Sequence, residues 1–301
     1  VAAAIVFPGQ GAQAVGMAGP WVDECPAARR LFDRAADLLG FDLLGICRDG
    51  PIEKLGATAI SQPAILVTSL AALEVLRARE GNPLTTVTAT AGLSLGEYTA
   101  LVFAGAIDFA DAVRLVDLRG RAMQDCADAS PGAMLAVLGV ERDRLAALCD
   151  TCREADVLEV ANVLCPGNIV VSGTAAACRR LEAAASAAGA LKCVPLDVAG
   201  AFHTRLMQPA VERLTAALAE TPVRPPRIPV VSNVDARPHD DPAAIRQLLA
   251  RQVVGVVEWH ASMAFILSAG TRSIWEVGPG RVLRGLMKRI DRGVECHGVF
   301  D

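Results

Sequence analysis

Apolar and polar positions along the chain fall into short runs that switch between two periods. Ala2–Phe7 is a continuous apolar run stopped by Pro8-Gly9 and predicts a buried strand. Helical spacing follows over 23–39 and 61–79, the second predicted to open with Ser61 as N-cap and Pro63 in its first turn. Val87–Ala91 reads as a small-residue strand feeding Gly92, and helices are predicted over about 95–104 and 109–126. This β-α-β-α rhythm implies a parallel sheet covered by helices.

The rhythm then changes. Strands are predicted at Ala133–Leu138, Val157–Val163, Ile169–Ser172 and Lys192–Leu196, with helices at Arg142–Arg153 and Ala175–Ala188. That order, β-α-β-β-α-β, is the split pattern of ferredoxin-like modules. The expected fold is therefore α/β: an α/β-hydrolase-like body with a mostly parallel sheet over 1–127 and 197–301, and an inserted ferredoxin-like subdomain over 128–196. The body resumes with a helix near 204–220, a strand at Ile228–Val231, helices within 243–269, a strand at Ser273–Val277 and a last helix at 281–291.

Composition narrows the function classes. Of 301 residues 52% are hydrophobic and 21% charged, enough apolar material for a large core and too much for bulk disorder. Lys and Arg number 29 against 33 Asp and Glu, a net charge of −4 that argues against a protein built around nucleic acid. The charge-free stretch Leu55–Leu73 carries Thr58, Ser61, Gln62, Pro63, Thr68 and Ser69, so it reads as a core helix and no membrane contact is expected. No basic segment precedes an apolar run at the start, so no signal peptide is expected, and the missing initiator Met reads as trimming. Nine cysteines at irregular spacing fit a reducing, cytoplasmic setting.

The strongest chemical signal is Gly92-Leu93-Ser94-Leu95-Gly96, a G-x-S-x-G between a predicted strand and helix, the context of a nucleophile elbow. A sharp turn there lifts the hydroxyl above the sheet, and the helix N-terminus offers free N–H groups to an oxyanion. The plain alternative is a glycine-rich connection with an incidental serine. A base must come from four histidines. His239 sits in an acidic turn, His260 beside Trp259 in a helical run, and His297 near the C-terminus. His203 follows Gly200-Ala201-Phe202 at a predicted sheet edge and leads, with a structural histidine as the alternative. No acid is obvious as a third member, so a dyad oriented by a backbone carbonyl is expected. Pro8-Gly9-Gln10-Gly11-Ala12-Gln13-Ala14 nearly fits a dinucleotide fingerprint, but Pro8 interrupts it and no acid ends a second strand ~20 residues on. Such a loop can instead turn a backbone N–H toward a reacting carbonyl.

On a wheel starting at Phe109, Arg119 falls at about 280°, between Leu115 and Met123, while Arg114 and Arg121 lie near about 140° and 120° on the solvated side. An inward arginine must be paired. Its partner is either a core acid or a substrate carboxylate, which arginine grips in bidentate fashion. Cys149-x-x-Cys152 lies within a helix, without a second pair at zinc spacing, and no metal site is expected.

Taken together, Phe7–Gln13 (FPGQGAQ), Gly92–Tyr98 (GLSLGEY), Arg119–Gln124 (RGRAMQ), Gly200–Thr204 (GAFHT), Ser232–Asp235 (SNVD) and Glu276–Gly280 (EVGPG) resemble, essentially end to end, the malonyl-CoA:acyl carrier protein transacylases and the related acyltransferase domains of polyketide synthases. The resemblance implies Ser94 as nucleophile, His203 as base and later acid, and an oxyanion hole from the N–H groups of Gln10 and Leu95. It implies Arg119 on the malonyl carboxylate, with Phe202 and Met123 also at the substrate, and the main-chain carbonyl of Gln252 orienting the histidine. Phe202 matches the malonyl-selective form, since its ring leaves little room for an α-branch. Leu93 departs from the pattern, which usually has histidine there. Malonyl-CoA and acyl carrier protein are the implied partners, with coenzyme A arriving as thioester substrate and no cofactor. A polyketide carrier and a serine hydrolase or thioesterase stand as alternatives. On the last helix Arg281, Arg284, Lys288 and Arg292 fall within about 80°, either a solvated face or a docking patch for an acidic carrier.

Overall fold

The computed structural model describes residues 2–79 and 81–299. Its strands are β1 (Ala3–Phe7), β2 (Val87–Gly92), β3 (Gly132–Leu138), β4 (Leu158–Cys165), β5 (Asn168–Thr174), β6 (Lys192–Pro195), β7 (Val230–Val231), β8 (Ser273–Glu276) and β9 (Glu295–Gly298). They form two sheets. The first runs β7-β2-β1-β8-β9 with every neighbour parallel, and the second runs β4-β5-β3-β6 with every neighbour antiparallel. The mixed α/β class expected from the alternation is what the chain adopts.

Each sheet follows from its pattern. All five residues of β1 are buried, as a central parallel strand with covered faces requires. The antiparallel sheet alternates instead. Leu135, Val137, Val163, Ile169 and Val171 pack under the helices Arg142–Arg153 and Ala175–Ala187. Their neighbours Met134, Asn162, Leu164 and Val170 face the opposite way, onto a cavity shared with the parallel sheet. The helix–strand order through 132–195 is β-α-β-β-α-β.

The helix Thr58–Arg77 is apolar on all sides and mostly buried against the helices Pro26–Leu39 and Phe109–Ala129. Among the described residues it is the one helix long and apolar enough to cross a membrane. It starts earlier than its sequence predicts. The Gln124 side chain accepts from the Thr58 N–H at 3.0 Å, so a neighbouring helix caps this end. Ser61 is then the fourth helical residue, its N–H bonded to the Ala57 carbonyl, and Pro63 lies inside the helix. Three further elements escaped the periodicity: the short helices Leu43–Asp49 and Ile52–Gly56, and β9, which pairs in parallel with β8. The helices are one or two turns long, below the length at which a helical period declares itself, and β9, Glu295–Gly298, has no apolar run to mark it.

The last helix is Val282–Ile290, so Arg292 lies beyond its end. Arg284 is not a free docking cation, because its side chain is 14% exposed and lies 3.5 Å from buried Glu276. That carboxylate also accepts from the N–H groups of Leu283 and Arg284, both at 3.0 Å, capping the helix from β8. Of the predicted four-cation face, Arg281 and Lys288 remain exposed on or beside the helix.

Candidate active site

The C-terminal ends of β1, β2 and β8 converge where an open parallel sheet places its ligands. Ser94 follows β2 at φ 50°, a left-handed conformation that a serine adopts only under constraint, before the helix Gly96–Phe103. Two close backbone approaches hold the turn. A Cβ on Gly96 would lie 2.2 Å from the Phe7 carbonyl oxygen, and one on Gly9 would lie 2.3 Å from that of Leu93. The loop after β1 and the elbow after β2 are thereby locked together. Asn233 pins the elbow from beyond β7: its Oδ1 accepts from the Ser94 N–H at 2.6 Å, and its Nδ2 donates to the Gly92 carbonyl at 2.8 Å.

His203 is 5% exposed and also left-handed, at φ 60°. Its Nε2 lies 2.9 Å from Ser94 Oγ and its Nδ1 2.9 Å from the Gln252 carbonyl oxygen. A carbonyl can only accept, so Nδ1 carries the proton and Nε2 presents its lone pair to the serine hydroxyl. Burial, and then the charge of Arg119, lower the His203 pKa to about 4, which leaves the ring neutral and able to take a proton at pH 7. Among the described residues no carboxylate bonds the ring, and Asp197 lines the cavity without reaching the imidazole. Of the other histidines, His239 bonds Asp235 at 2.8 Å, His297 stacks on Trp275 at 4.6 Å within β9, and His260 sits on the helix Trp259–Ser268.

Arg119 is 2% exposed. Nη1 donates to Gln62 Oε1 at 2.7 Å, and Nη2 donates to Gln252 Oε1 at 3.0 Å and Ser94 Oγ at 3.1 Å. The guanidinium lies 5.4 Å from the centre of the Tyr98 ring, and Nε has no hydrogen-bond partner among the described residues. Among the described residues no carboxylate comes within ion-pair distance, so no core acid sits directly on the guanidinium fork. Burial lowers the Arg119 pKa, partly offset by Tyr98 and Glu97, yet a guanidinium stays charged at any working pH.

One cavity of about 870 Å³ gathers the residues singled out in the sequence: Ser94, His203, Arg119, Gln10, Leu95, Met123 and Phe202 all line it. Gln252 stands just behind, fully buried. The backbone N–H groups of Gln10 and Leu95 bond no protein acceptor among the described residues, so both are available to a developing oxyanion. Nothing at the loop after β1 grips a dinucleotide ribose. Gln10 Nε2 donates to Thr58 Oγ1 at 3.2 Å, and Gly11 N–H to Gln13 Oε1 at 2.7 Å. Cys149 and Cys152 are buried far from this chemistry under the antiparallel sheet, and burial pushes the Cys149 thiol up to about 12. No metal-binding cluster of His, Cys, Asp or Glu occurs among the described residues.

The chain as a whole has counterparts among known proteins. Residues 4–290 match the acyl transferase domain. This chain belongs to that family. A relative in Salmonella typhimurium, malonyl CoA-acyl carrier protein transacylase, is 42% identical over 95% of this chain and 92% of its own. The malonyl CoA-acyl carrier protein transacylase of Coxiella burnetii superposes with a TM-score of 0.95 at 36% identity, covering 99% of this chain and 93% of that one. A malonyl-transacylase solved in complex with a type II polyketide synthase acyl-carrier protein superposes equally well, at 38% identity over 100% of this chain and 96% of that one.

The family resemblance read from the motifs is thus shown, and the side chains behind the motifs come from the structure. Gln62, Tyr98, Glu97, Asn233 and the side-chain amide of Gln252 form one buried network around Ser94 and Arg119. Glu97 and Asn233 stand inside GLSLGEY and SNVD, but a motif does not say which of its side chains turn inward.

Proposed function

We propose that this chain moves a malonyl group from coenzyme A to the phosphopantetheine thiol of an acyl carrier protein through a malonyl-serine on Ser94. His203 Nε2 takes the hydroxyl proton as Oγ attacks the thioester carbonyl. The Gln10 and Leu95 N–H groups receive the oxyanion, and the imidazolium returns its proton to the departing coenzyme A sulfur. The carrier thiol then repeats the sequence in reverse, giving its proton to His203. Met123 and Phe202 bound the acyl group in the cavity.

The observation that carries this reading is the placement of Arg119 Nη2, 3.1 Å from Ser94 Oγ with no carboxylate among the described residues on its fork. In a malonyl thioester a single methylene separates the reacting carbonyl from the carboxylate, so the cation that holds one end must sit beside the nucleophile that attacks the other. A plain esterase needs no such cation. Coenzyme A enters as substrate, and the scheme calls for no cofactor. The nine cysteines are all free thiols, which supports a reducing cytoplasmic setting. The test is transfer of labelled malonyl from malonyl-CoA to holo acyl carrier protein. Ser94→Ala is expected to lower turnover by about 10⁴–10⁶-fold, and transfer undiminished in that variant overturns the reading. Competition between fatty acid and polyketide carriers in the same assay separates the two destinations.

A further inference from the structure

Glu97 lies three residues after Ser94, is 3% exposed, and has no cation within ion-pair distance among the described residues. Its Oε2 accepts from Gln252 Nε2 at 2.6 Å and from the Asn233 N–H at 3.1 Å. The other end of the same Gln252 amide, Oε1, accepts from Arg119 Nη2 at 3.0 Å. A single primary amide therefore bridges a buried carboxylate and a buried guanidinium, its donor end on the anion and its acceptor end on the cation. Turning the amide over would set NH₂ against guanidinium and carbonyl against carboxylate, so the two charges fix its orientation. The bridge also keeps the anion one side chain away, where it balances Arg119 without occupying the fork.

Arrival of a substrate carboxylate on Arg119 would put two anions on one cation in a water-poor site. Like charges sharing such a site drive a proton onto the weaker acid. Burial already pushes Glu97 up to about 7, so it is the acid that yields. Resting on the malonyl-transfer reading, we propose that Glu97 is the resting counter-ion of Arg119, linked to it through the Gln252 amide. It takes one proton from solvent when a substrate carboxylate docks on the guanidinium and returns it when the acyl group leaves.

The surroundings of Glu97 assign that proton. The strands β1, β2 and β7 that pack against its helix carry no titratable side chain. The helix Phe109–Ala129 contributes Arg119, and the helix Thr58–Arg77 has only Glu74 and Arg77, which pair with each other at 2.7 Å. On its own helix the neighbour is Tyr98, whose hydroxyl burial raises to about 12. His203 lies across Ser94, and from the loop after β7 comes His239, bonded to Asp235. A cavity of about 10 Å³, room for about one water, is lined by Glu97, Ser232 and the partly exposed His239.

The test is proton uptake during loading, read with a pH indicator in weakly buffered enzyme mixed with malonyl-CoA, with acetyl-CoA as the reference that frees the same thiol but brings no carboxylate. Intact mass measures the labelled fraction. The wild-type protein is expected to take up close to one proton per malonyl bound at pH 8, relative to acetyl, and close to none at pH 6, where Glu97 is already protonated. His203, lowered to about 4, stays neutral at both. Glu97→Gln, neutral and of the same shape, is expected to abolish the uptake at pH 8. It should also favour malonyl loading there by up to about tenfold, the cost of protonating at pH 8 a group that titrates at about 7. Labelling without uptake, or equal uptake in Glu97→Gln, overturns the proposal while leaving the transfer reading intact. If circular dichroism shows that the variant does not fold, the wild-type difference between pH 8 and pH 6 decides alone. A protein that takes no malonyl label overturns the transfer reading itself, and the proposal with it.

Discussion

At the residue scale the site is a set of side chains whose chemistry depends on who holds them. Ser94 and His203 both occupy left-handed backbone, and each is kept there by bonds from another segment: Asn233 to the Ser94 N–H, the Gln252 carbonyl to His203 Nδ1. Gln252 does two things at once, since its main chain orients the base and its side chain cradles the cation. Arg119 is where selectivity should be decided. Its guanidinium bonds only neutral oxygens, and a substrate carboxylate would be the first full charge on it. Losing a buried charge-assisted pair costs about 2–5 kcal/mol, so Arg119→Ala should lower kcat/KM for malonyl-CoA by tens- to thousands-fold on that estimate. The acetyl thioester, with no carboxylate to hold, should lose far less. Parallel kinetics with the two thioesters check this, and equal losses would make Arg119 a structural residue.

At the element scale, what could be read in advance divides by length and period. Strands β3 to β6 and the two helices between them were legible because alternation and helical spacing each persist for most of their length. The start of the helix Thr58–Arg77 was not, because its cap is Gln124, a residue 66 positions away. The last helix teaches the same lesson about charge. The wheel aligned four cations, but β8 delivers Glu276 to the helix N-terminus and draws Arg284 inward. If this surface meets an acidic carrier, Arg281 and Lys288 are the exposed cations left on or beside the helix to do so. Reversing Arg281 and Lys288 to glutamate should raise KM for the acidic carrier several-fold at low salt, since steering by surface charge changes encounter more than chemistry. KM for malonyl-CoA should change less. Unchanged carrier kinetics at low ionic strength would return this surface to a plain solvated face.

At the scale of the whole molecule, the parallel sheet supplies the elbow and the antiparallel sheet supplies the opposite wall. Met134, Asn162, Leu164 and Val170 line the cavity beside Ser94, turned that way by alternation along β3 and β5 and, on β4, by register irregularities at Val160/Asn162 and Val163/Cys165. Ser94, His203 and Arg119 could be singled out from their own short segments, Gln10 and Leu95 came with the family resemblance, and the structure brings all five to one cavity. The shell that holds them was not, because Gln62, Glu97, Asn233 and Gln252 reach the site from four separated segments. Only the fold shows that one amide joins two of these blocks. Whether Ser94 carries the acyl group is decided by intact-mass and peptide mass spectrometry after mixing with malonyl-CoA, with no acceptor present. One malonyl group per chain is expected, mapped to the peptide containing Ser94 and absent from Ser94→Ala. A label on a cysteine or another serine, or on the Ser94→Ala protein, would contradict it.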